Sequence, residues 1–304
     1  QCIRIRCVSF TALVWVALLV LLISPSMTFC ATWEPVGPEG GHFIFSMTNP
    51  ANADEIIAIT SRFSPSNVYK SADGGVGWSK IGQIPVSDIS DVSAFNSSTL
   101  YAIADSQCFY STDSGMNWFE ADLPSSSEST YCICAHPTDS TVVYAAGCNR
   151  TSEGAYTMVF FKSTDGGQSW SASQFFTFEH IIYPYDMAIS NSNPSVIYIC
   201  GRKETGGNYF GFLFTTSDGG NTWTDISSAV ERNPHRVFHS VAVDPTDDGK
   251  IYVGGPYFYR GTKTGPDSNL SWTRNPIPFV PFSVYSIGVD PVDPINIEAS
   301  LREM

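Results

Sequence analysis

Four carboxylates recur in the sequence, each inside the same eight-residue pattern, S/T-x-D-x-G-x-x-W. The copies occupy residues 71–78, 111–118, 163–170 and 216–223. A hydroxyl and a carboxylate two residues apart could ligate a metal or share acid–base work. They could equally accept hydrogen bonds from the backbone amides of a tight turn. The aspartates are spaced by 40, 52 and 53 residues, and repetition at such intervals predicts a repeat architecture that builds one turn several times.

The turn interpretation accounts for every fixed position of the pattern. Glycine at the fifth position reaches a positive φ at little cost, and tryptophan at the eighth offers a large apolar face to a neighbouring repeat. We therefore assign the motifs to the scaffold and expect no metal and no cofactor. The scaffold residues are Ser71, Asp73, Gly75, Trp78, Ser111, Asp113, Gly115, Trp118, Ser163, Asp165, Gly167, Trp170, Thr216, Asp218, Gly220 and Trp223.

A fifth, altered copy of the pattern ends at Trp272. Counting back places Asp267 at the aspartate position, Gly265 at the serine position and Asn269 at the glycine position. Asparagine visits the left-handed region more readily than most residues, so the turn is expected to survive. The interval from Asp218 to Asp267 is 49 residues, in line with the others.

With five copies in register, the chain resembles the Asp-box β-propellers, which include sialidases, xyloglucanase-type glycosidases, sortilin-like receptors and photosystem II assembly factors. The resemblance covers roughly residues 33 to 304 and implies an all-β propeller of four-stranded antiparallel blades. The sequence holds five complete repeats and the first two strands of a sixth. We expect residues 31–304 to form one propeller domain, incomplete at its C-terminus, with residues 33–37 as an outer strand that closes the ring.

Repeat lengths indicate where a ligand would bind. The Asp-box fixes the connection between the third and fourth strands, and a Pro-rich turn nearly fixes the one between the first and second. The two remaining connections vary in length and emerge together on the face opposite the Asp-boxes. Insertions on one face usually mark the binding face of a repeat protein. The candidate loops are 147–158, 173–184 and 201–211.

Four amphipathic side chains fall at one equivalent position, just before the first strand of a repeat enters its blade. They are Tyr131, Tyr185, His239 and Tyr285. We expect them near the mouth of the central channel on the variable face, where they could stack on a sugar or grip a peptide. Aromatic residues are also common at half-buried strand starts, so a purely structural role is the alternative.

Glycoside hydrolysis would need two carboxylates facing one cleft. Asp186, Glu204 and Glu179 lie on or near the predicted binding face and are weak catalytic candidates. Solvated surface charge is the favoured interpretation, because the catalytic carboxylates of the xyloglucanase-type enzymes have no residue-by-residue match here. Sialidases use three arginines and a tyrosine–glutamate pair, but no Arg-Ile-Pro segment precedes the first Asp-box. The fold alone does not carry that activity.

Residues 1–30 have the layout of a secretory signal peptide. Arg4 and Arg6 precede an uncharged run over 8–23, and a Ser-Pro-Ser segment ends it. An uncleaved membrane anchor is the alternative. We expect a secreted protein, extracellular, periplasmic or at the cell surface, with no membrane contact beyond the leader. The formal net charge of −13 argues against nucleic acid as a partner.

Five cysteines follow the leader, and their spacing matches no zinc pattern. They are Cys108, Cys132, Cys134, Cys148 and Cys200. Small buried hydrophobes are the favoured interpretation. Cys132 and Cys148 lie on strands expected to be neighbours, and export would permit a disulfide. The expected register places Cys132 opposite residue 146, which makes Cys148 a diagonal neighbour and favours two free thiols.

These patterns favour a secreted, non-catalytic propeller that binds a protein or polysaccharide ligand on its variable-loop face. A fragment of a xyloglucanase-type or other glycoside hydrolase is the second interpretation. The resemblance to the photosystem II factors adds a third, an assembly factor for a membrane complex.

Overall fold

The computed structural model describes residues 2–6, 42–61, 64–104, 106–124, 129–230, 236–263, 270–275, 282–290 and 293–303. Within these ranges the regular secondary structure is almost entirely β-strand, and the one helix is the short α1 (Ser227–Val230). Five four-stranded antiparallel sheets follow one another along the chain, each with its strands in consecutive order. This arrangement confirms the predicted all-β propeller fold, with one sheet for each complete repeat.

The strands of the five complete blades have the following bounds. Blade 1 contains β2 (His42–Asn49), β3 (Asn52–Ser61), β4 (Ser66–Ser71) and β5 (Ser79–Ile84). Blade 2 contains β6 (Asp91–Ala94), β7 (Leu100–Ala104), β8 (Gln107–Ser111) and β9 (Phe119–Asp122). Blade 3 contains β10 (Ser129–Ala135), β11 (Val143–Arg150), β12 (Tyr156–Ser163) and β13 (Ser171–Phe178). Blade 4 contains β14 (Ile182–Ile189), β15 (Ile197–Thr205), β16 (Asn208–Thr216) and β17 (Thr224–Asp225). Blade 5 contains β18 (Ser240–Asp244), β19 (Asp247–Gly254), β20 (Phe258–Lys263) and β21 (Leu270–Asn275).

A sixth sheet contains the two strands predicted for the partial repeat, β22 (Phe282–Val289) and β23 (Asn296–Glu303), and a third strand, β1 (Cys2–Arg6). The segment Cys2–Arg6 alternates apolar and charged residues, a strand pattern, and the edge of β23 offers unpaired backbone groups. The structure thus pairs part of the proposed leader with the last strand, where we expected residues 33–37. Residues 33–37 lie outside the described residues, and the signal peptide stays a prediction.

The first strands of successive sheets pack side by side from β2 to β22 and so surround the propeller axis. Buried clusters join each blade to the next and join blade 5 to the sixth sheet. The second strands are the most buried, because both of their faces and both of their edges are covered. All five residues of β7, for example, are buried. Burial of these apolar strands between blades supplies the main stabilisation of the fold.

The four intact Asp-boxes form the same hydrogen-bonded turn. In the first copy, the hydroxyl of Ser71 donates to Asp73 Oδ1 at 2.8 Å and accepts the Gly75 amide at 2.8 Å. Asp73 Oδ1 also accepts the Gly77 amide at 2.8 Å, and the indole N–H of Trp78 donates to the Gly75 carbonyl at 2.9 Å. The other three copies repeat these bonds.

Trp223, the tryptophan of the fourth Asp-box, packs between blades 4 and 3. Its ring contacts Phe160 at 5.1 Å and stacks on Phe175 at 4.6 Å, both in blade 3. Gly220, in the same box, has a φ of +94°. A Cβ there would meet a ring carbon of Phe160 at 2.1 Å. Glycine at this position therefore serves both the turn and the approach of the neighbouring blade.

The altered fifth copy has lost part of this geometry. Asp267 lies outside the described residues. Trp272 lies inside β21 (Leu270–Asn275), whereas the tryptophans of the four intact copies directly precede the fourth strand of their blades. Its indole nitrogen is buried and has no hydrogen-bond partner among the described residues, whereas the intact copies satisfy that donor with the glycine carbonyl.

Cys132 pairs with Ala146, as predicted, and Cys148 pairs with Ser129. All five cysteines of the propeller are free thiols, four of them buried and Cys134 half-buried. Cys132 and Cys148 belong to the apolar cluster between blades 3 and 4, in keeping with their interpretation as core residues.

Candidate functional site

The four predicted ligand-binding residues occupy equivalent places in their blades. Tyr131, Tyr185 and Tyr285 each sit on a β-bulge of a first strand, where the ladder skips one residue. His239 directly precedes β18, and its backbone amide donates to the Gly254 carbonyl at 2.8 Å. A β-bulge leaves its extra residue unpaired and changes the direction of that residue's side chain relative to the regular strand. All four lie on the face opposite the Asp-boxes.

Three of these side chains form a continuous stack. The rings of Tyr185 and His239 are 5.6 Å apart with an interplanar angle of 17°. Those of His239 and Tyr285 are 4.0 Å apart at 14°. Tyr131 joins the stack through Tyr183, which lies 5.5 Å from Tyr131 and 6.5 Å from Tyr185. We name these five residues the aromatic arc.

The arc lies at the boundary between core and solvent. Tyr285 is 37% exposed, and the other four members are half-buried. Burial raises the pKa of Tyr131 and of Tyr185, so both hydroxyls stay protonated at neutral pH. Sequence reasoning missed Tyr183. Tyr183 could have been predicted from its position two residues before Tyr185, since alternate residues of a strand share a face.

Two carboxylates, Asp91 and Asp186, occupy equivalent positions on the first strands of blades 2 and 4. Asp186 follows Tyr185 on β14; its Oδ1 accepts the Met187 amide at 2.8 Å and its Oδ2 the Val241 amide at 2.9 Å. Asp91 on β6 makes the equivalent bonds, to the amides of Val92 at 2.8 Å and Ile133 at 2.9 Å. Each carboxylate therefore ties its own first strand to the first strand of the next blade.

These two carboxyl groups have unusual acidities. Burial raises the pKa of Asp186 to about 7. Burial raises that of Asp91 to about 7 as well, and the charge of Asp186 adds to the effect. The amide donors act in the opposite direction but do not offset the loss of solvation. A carboxyl that titrates near neutral pH can serve as a general acid or base.

The three carboxylates suggested from sequence do not form a pair. Asp186 pairs with Cys200 across the sheet, and Glu204 lies four residues further along β15, about 13 Å away along a strand. Glu179 is exposed in the turn between β13 and β14. The carboxylate that structurally matches Asp186 is Asp91, which sequence reasoning overlooked, although Ser-Asp-Val and Tyr-Asp-Met align at the same strand position.

The predicted variable loops are largely strand. The segment 201–211 is a hairpin in which β15 and β16 run on to a two-residue turn, Gly206-Gly207, with φ values of +59° and +75°. Two successive positive φ values suit the hairpin turn whose twist matches the flanking strands. The segments 147–158 and 173–184 likewise consist mainly of strand ends. The insertions thus extend the strands of the blades as walls of paired strand, and do not form irregular loops.

Arginines stack on tyrosines along these walls. The guanidinium carbon of Arg202 lies 4.8 Å from the ring centre of Tyr183 and 4.6 Å from that of Tyr209. Arg236 and Arg274 each lie 4.5 Å from the ring centre of Tyr257. Stacking of this kind is favourable and fixes the plane of the guanidinium group.

Comparison with known proteins gives the same fold. A family model described as Sortilin-Vps10 (sortilin, neurotensin receptor 3) matches residues 66–206. A GH74 enzyme of Niastella koreensis superimposes with a TM-score of 0.62 at 16% identity over 86% of this chain and 44% of that chain. The GH74 xyloglucanase of Xanthomonas campestris gives a TM-score of 0.59 at 14% identity over 82% of this chain and 42% of that chain. These matches agree with the fold observed here, a β-propeller whose blades carry Asp-box turns.

The propeller also resembles a GH93 α-L-arabinofuranosidase of Fusarium graminearum solved with arabinobiose, with a TM-score of 0.53 at 14% identity over 88% of this chain and 96% of that chain. No curated protein sequence matches this chain. The chain spans less than half the length of the two GH74 structures. Identities this low show the fold of the propeller alone.

The described residues contain neither a cluster suited to a metal ion nor a helix suited to cross a membrane. Among the residues with described positions, no group of three or more histidines, cysteines and acidic residues is placed to hold a metal ion. Over the same residues, no helix has the length and apolar character needed to cross a membrane.

Proposed function

We propose that this protein is a secreted, non-catalytic propeller that binds a glycan at the aromatic arc. The observation that carries the proposal is the arc itself, a continuous run of half-buried rings on the face opposite the Asp-boxes. Rings at a channel mouth offer flat apolar faces to sugar rings and polar edges to their hydroxyls. Secretion rests on the leader-like segment 1–30. A protein ligand is the other class that this face would accept.

The regular arrangement of the rings in the arc supports a ligand role over mere packing. Tyr185, His239 and Tyr285 come from three different first strands, and their rings are nearly parallel. The bulges that place them are part of regular ladders, so binding would require little ordering of the site. Preorganisation of this kind lowers the entropic cost of binding.

A binding experiment tests the proposal. The Tyr185→Ala/His239→Ala variant is expected to bind soluble xyloglucan or arabinan, whichever the wild type retains, roughly tenfold more weakly, because two stacking faces are lost. Phe119→Ala is the matched control, since Phe119 is 52% exposed, stacks on Tyr110 and begins β9 directly after the Asp-box of blade 2, on the face opposite the arc. Isothermal titration measures the affinities, and circular dichroism checks the folding of each variant. Equal losses in the control and the arc variant would contradict the proposal.

A glycoside hydrolase is the second candidate function. It is favoured by the raised pKa values of Asp91 and Asp186 and by the likeness to GH74 folds. Release of reducing sugar from xyloglucan by the wild type, lost in Asp186→Ala or in Glu204→Ala, would establish it over the leading proposal. Binding without any release of reducing sugar would support the leading proposal.

A further inference from the structure

We propose that Arg202 and Arg236, beside the aromatic arc, form a subsite for the carboxylate of a uronic acid residue, so that the preferred glycan is an acidic polysaccharide. This inference rests on the proposed function and deepens it by naming the ligand class.

Arg202 is built into the edge of the arc. Its guanidinium group lies between the rings of Tyr183 and Tyr209, at 4.8 Å and 4.6 Å from their centres. Its charge also lowers the pKa of the Tyr185 hydroxyl against the raising effect of burial. Arg202 therefore acts electrostatically on the ring that begins the stack.

Arg236 is held close to Arg202 by the backbone. The Gly211 amide donates to the Arg236 carbonyl at 2.5 Å, and Gly211 is the cross-strand partner of Arg202. Two strand spacings, about 10 Å, thus separate the two arginine backbones. The Arg236 guanidinium group stacks on Tyr257, and the chain continues from Arg236 to His239 of the arc within three residues.

Both arginines keep their charge and their donors for a ligand. Within the described part of the chain, neither has a carboxylate within salt-bridge distance, whereas Lys70, Lys203 and Lys250 are all ion-paired. No described residue accepts a hydrogen bond from either guanidinium group. On a chain with a formal net charge of −13, two neighbouring arginines without an ion pair among the described residues form a local positive patch that attracts an anion.

The chemistry of the anion follows from the neighbours. A guanidinium fork binds a carboxylate with two parallel hydrogen bonds, while the adjacent rings favour a flat, partly apolar body. A uronic acid residue combines a sugar ring with a carboxylate, and a polymer of such residues would lie along the arc and the arginines together. A neutral glycan would use the rings alone.

Affinity for polygalacturonate tests the inference, with neutral xyloglucan and poly-L-glutamate as comparison ligands. The Arg202→Gln/Arg236→Gln variant is expected to bind polygalacturonate roughly tenfold or more weakly, because charge-assisted hydrogen bonds are lost. Lys203→Gln is the matched control. It removes the same charge from the adjacent residue, whose ammonium group pairs with Asp225 at 3.1 Å and lies over Phe178 on the other side of the sheet.

The outcomes separate this inference from the proposed function. Preferential binding of polygalacturonate, weakened in the arginine variant and retained in Lys203→Gln, would support the subsite. Binding of xyloglucan alone, sensitive to Tyr185→Ala, would overturn the subsite and leave the proposed function standing. Equal, arginine-dependent binding of poly-L-glutamate would overturn the glycan class. Binding of none of the three would overturn the subsite, and failure to bind arabinan as well would overturn the proposed function.

Discussion

The pKa of an Asp-box aspartate is lowered in this propeller, whereas the pKa of an aspartate on a first strand is raised. Hydrogen bonds from the Thr222 side chain and amide lower the pKa of Asp218 to about 2. Burial instead raises the pKa of Asp186 to about 7, although that carboxylate also accepts two amides. Amide donors are thus common to both, and access to solvent decides the direction.

The box carboxylates are predicted to act on stability and not on ligand affinity. Asp165 accepts the amides of Gln168 and Ser169 and the hydroxyls of Ser163 and Ser169. Asp165→Ala is expected to lower the free energy of unfolding by about 1–2 kcal/mol, since turn amides lose their acceptor. Thermal melts followed by circular dichroism, beside a glycan-binding assay, check this. Asp122→Ala, an exposed strand position, is the control, and unchanged melting with lost binding would contradict the scaffold role.

The inner-strand carboxylates predict a pH dependence of stability. The pKa values of Asp91 and Asp186 rise from an ordinary 3.8 to about 7 on folding. Between these values the folded state holds more protons than the unfolded state, so the contribution of the two groups to stability falls as pH rises through this window. In Asp91→Asn/Asp186→Asn this contribution is removed, and the stability of the variant relative to the wild type is expected to improve from pH 4 to pH 7.

Denaturant melts of both proteins across that window measure the difference. Taking the variant against the wild type removes the effects of other titrating groups, such as His136, whose pKa is lowered by burial. Asp122→Asn serves as the charge-matched control. A difference in unfolding free energy that stays constant with pH would show that both carboxylates ionise in the folded protein as they do in the unfolded chain.

At the scale of elements, two neighbouring glycines of the fourth Asp-box allow the contribution of turn conformation to stability to be measured apart from that of packing between blades. Gly219 and Gly220 have φ values of +69° and +94°, but only at Gly220 would a Cβ collide with a neighbour, at 2.1 Å from Phe160. Gly219→Ala is expected to cost about 1 kcal/mol from its backbone conformation. Gly220→Ala is expected to cost about 2–4 kcal/mol, because overpacking against blade 3 is added. Equal losses of unfolding free energy would mean that Phe160 moves aside freely.

The sequence could predict those elements that local chemistry determines. The Asp-box turn involves residues at most seven apart, so its pattern revealed five repeats. The equally local turn after each first strand allowed those strands to be aligned, which gave the equivalence of Tyr131, Tyr185, His239 and Tyr285. Contacts between blades left no such local pattern. The bond from Asp91 to Ile133 spans 42 residues, and the stacking of Arg202 between two tyrosines depends on how far β15 and β16 extend. Loop lengths showed where insertions occur but not that Gly206-Gly207 turns them into a hairpin.

For the whole molecule, we predict that stability is unevenly distributed round the ring. Among the residues with described side chains, thirteen buried residues form the cluster between blades 3 and 4, whereas two, Val284 and Ala299, form the one between blade 5 and the sixth sheet. On the other side of the sixth sheet, a cavity of about 610 Å³ lies between Ser300 and the first two strands of blade 1. Ser240 occupies in blade 5 the position that Asp186 occupies in blade 4. Its hydroxyl is buried and has no hydrogen-bond partner among the described residues.

Hydrogen–deuterium exchange with mass spectrometry tests this distribution. Amides of β22 and β23 are expected to exchange fastest among the paired strands, and those of β11, β12, β15 and β16 slowest, because local opening is easiest where little apolar surface is buried. Uniform protection across all six sheets would show that the ring opens only as a unit.

The consecutive order of strands within every complete blade also bears on how the chain folds. Each of those ladders joins neighbours in sequence, and among the strands that the structure describes only the β1–β23 pairing brings distant segments together. Contacts that are local in sequence close short loops, which form faster than long ones. A blade can thus assemble on the ribosome as soon as its own four strands have emerged, and each finished blade presents an apolar face on which the next one condenses. Synthesis from blade 1 to blade 5 then sets the order of folding, and the sixth sheet, which contains β22 and β23, forms after the five complete blades.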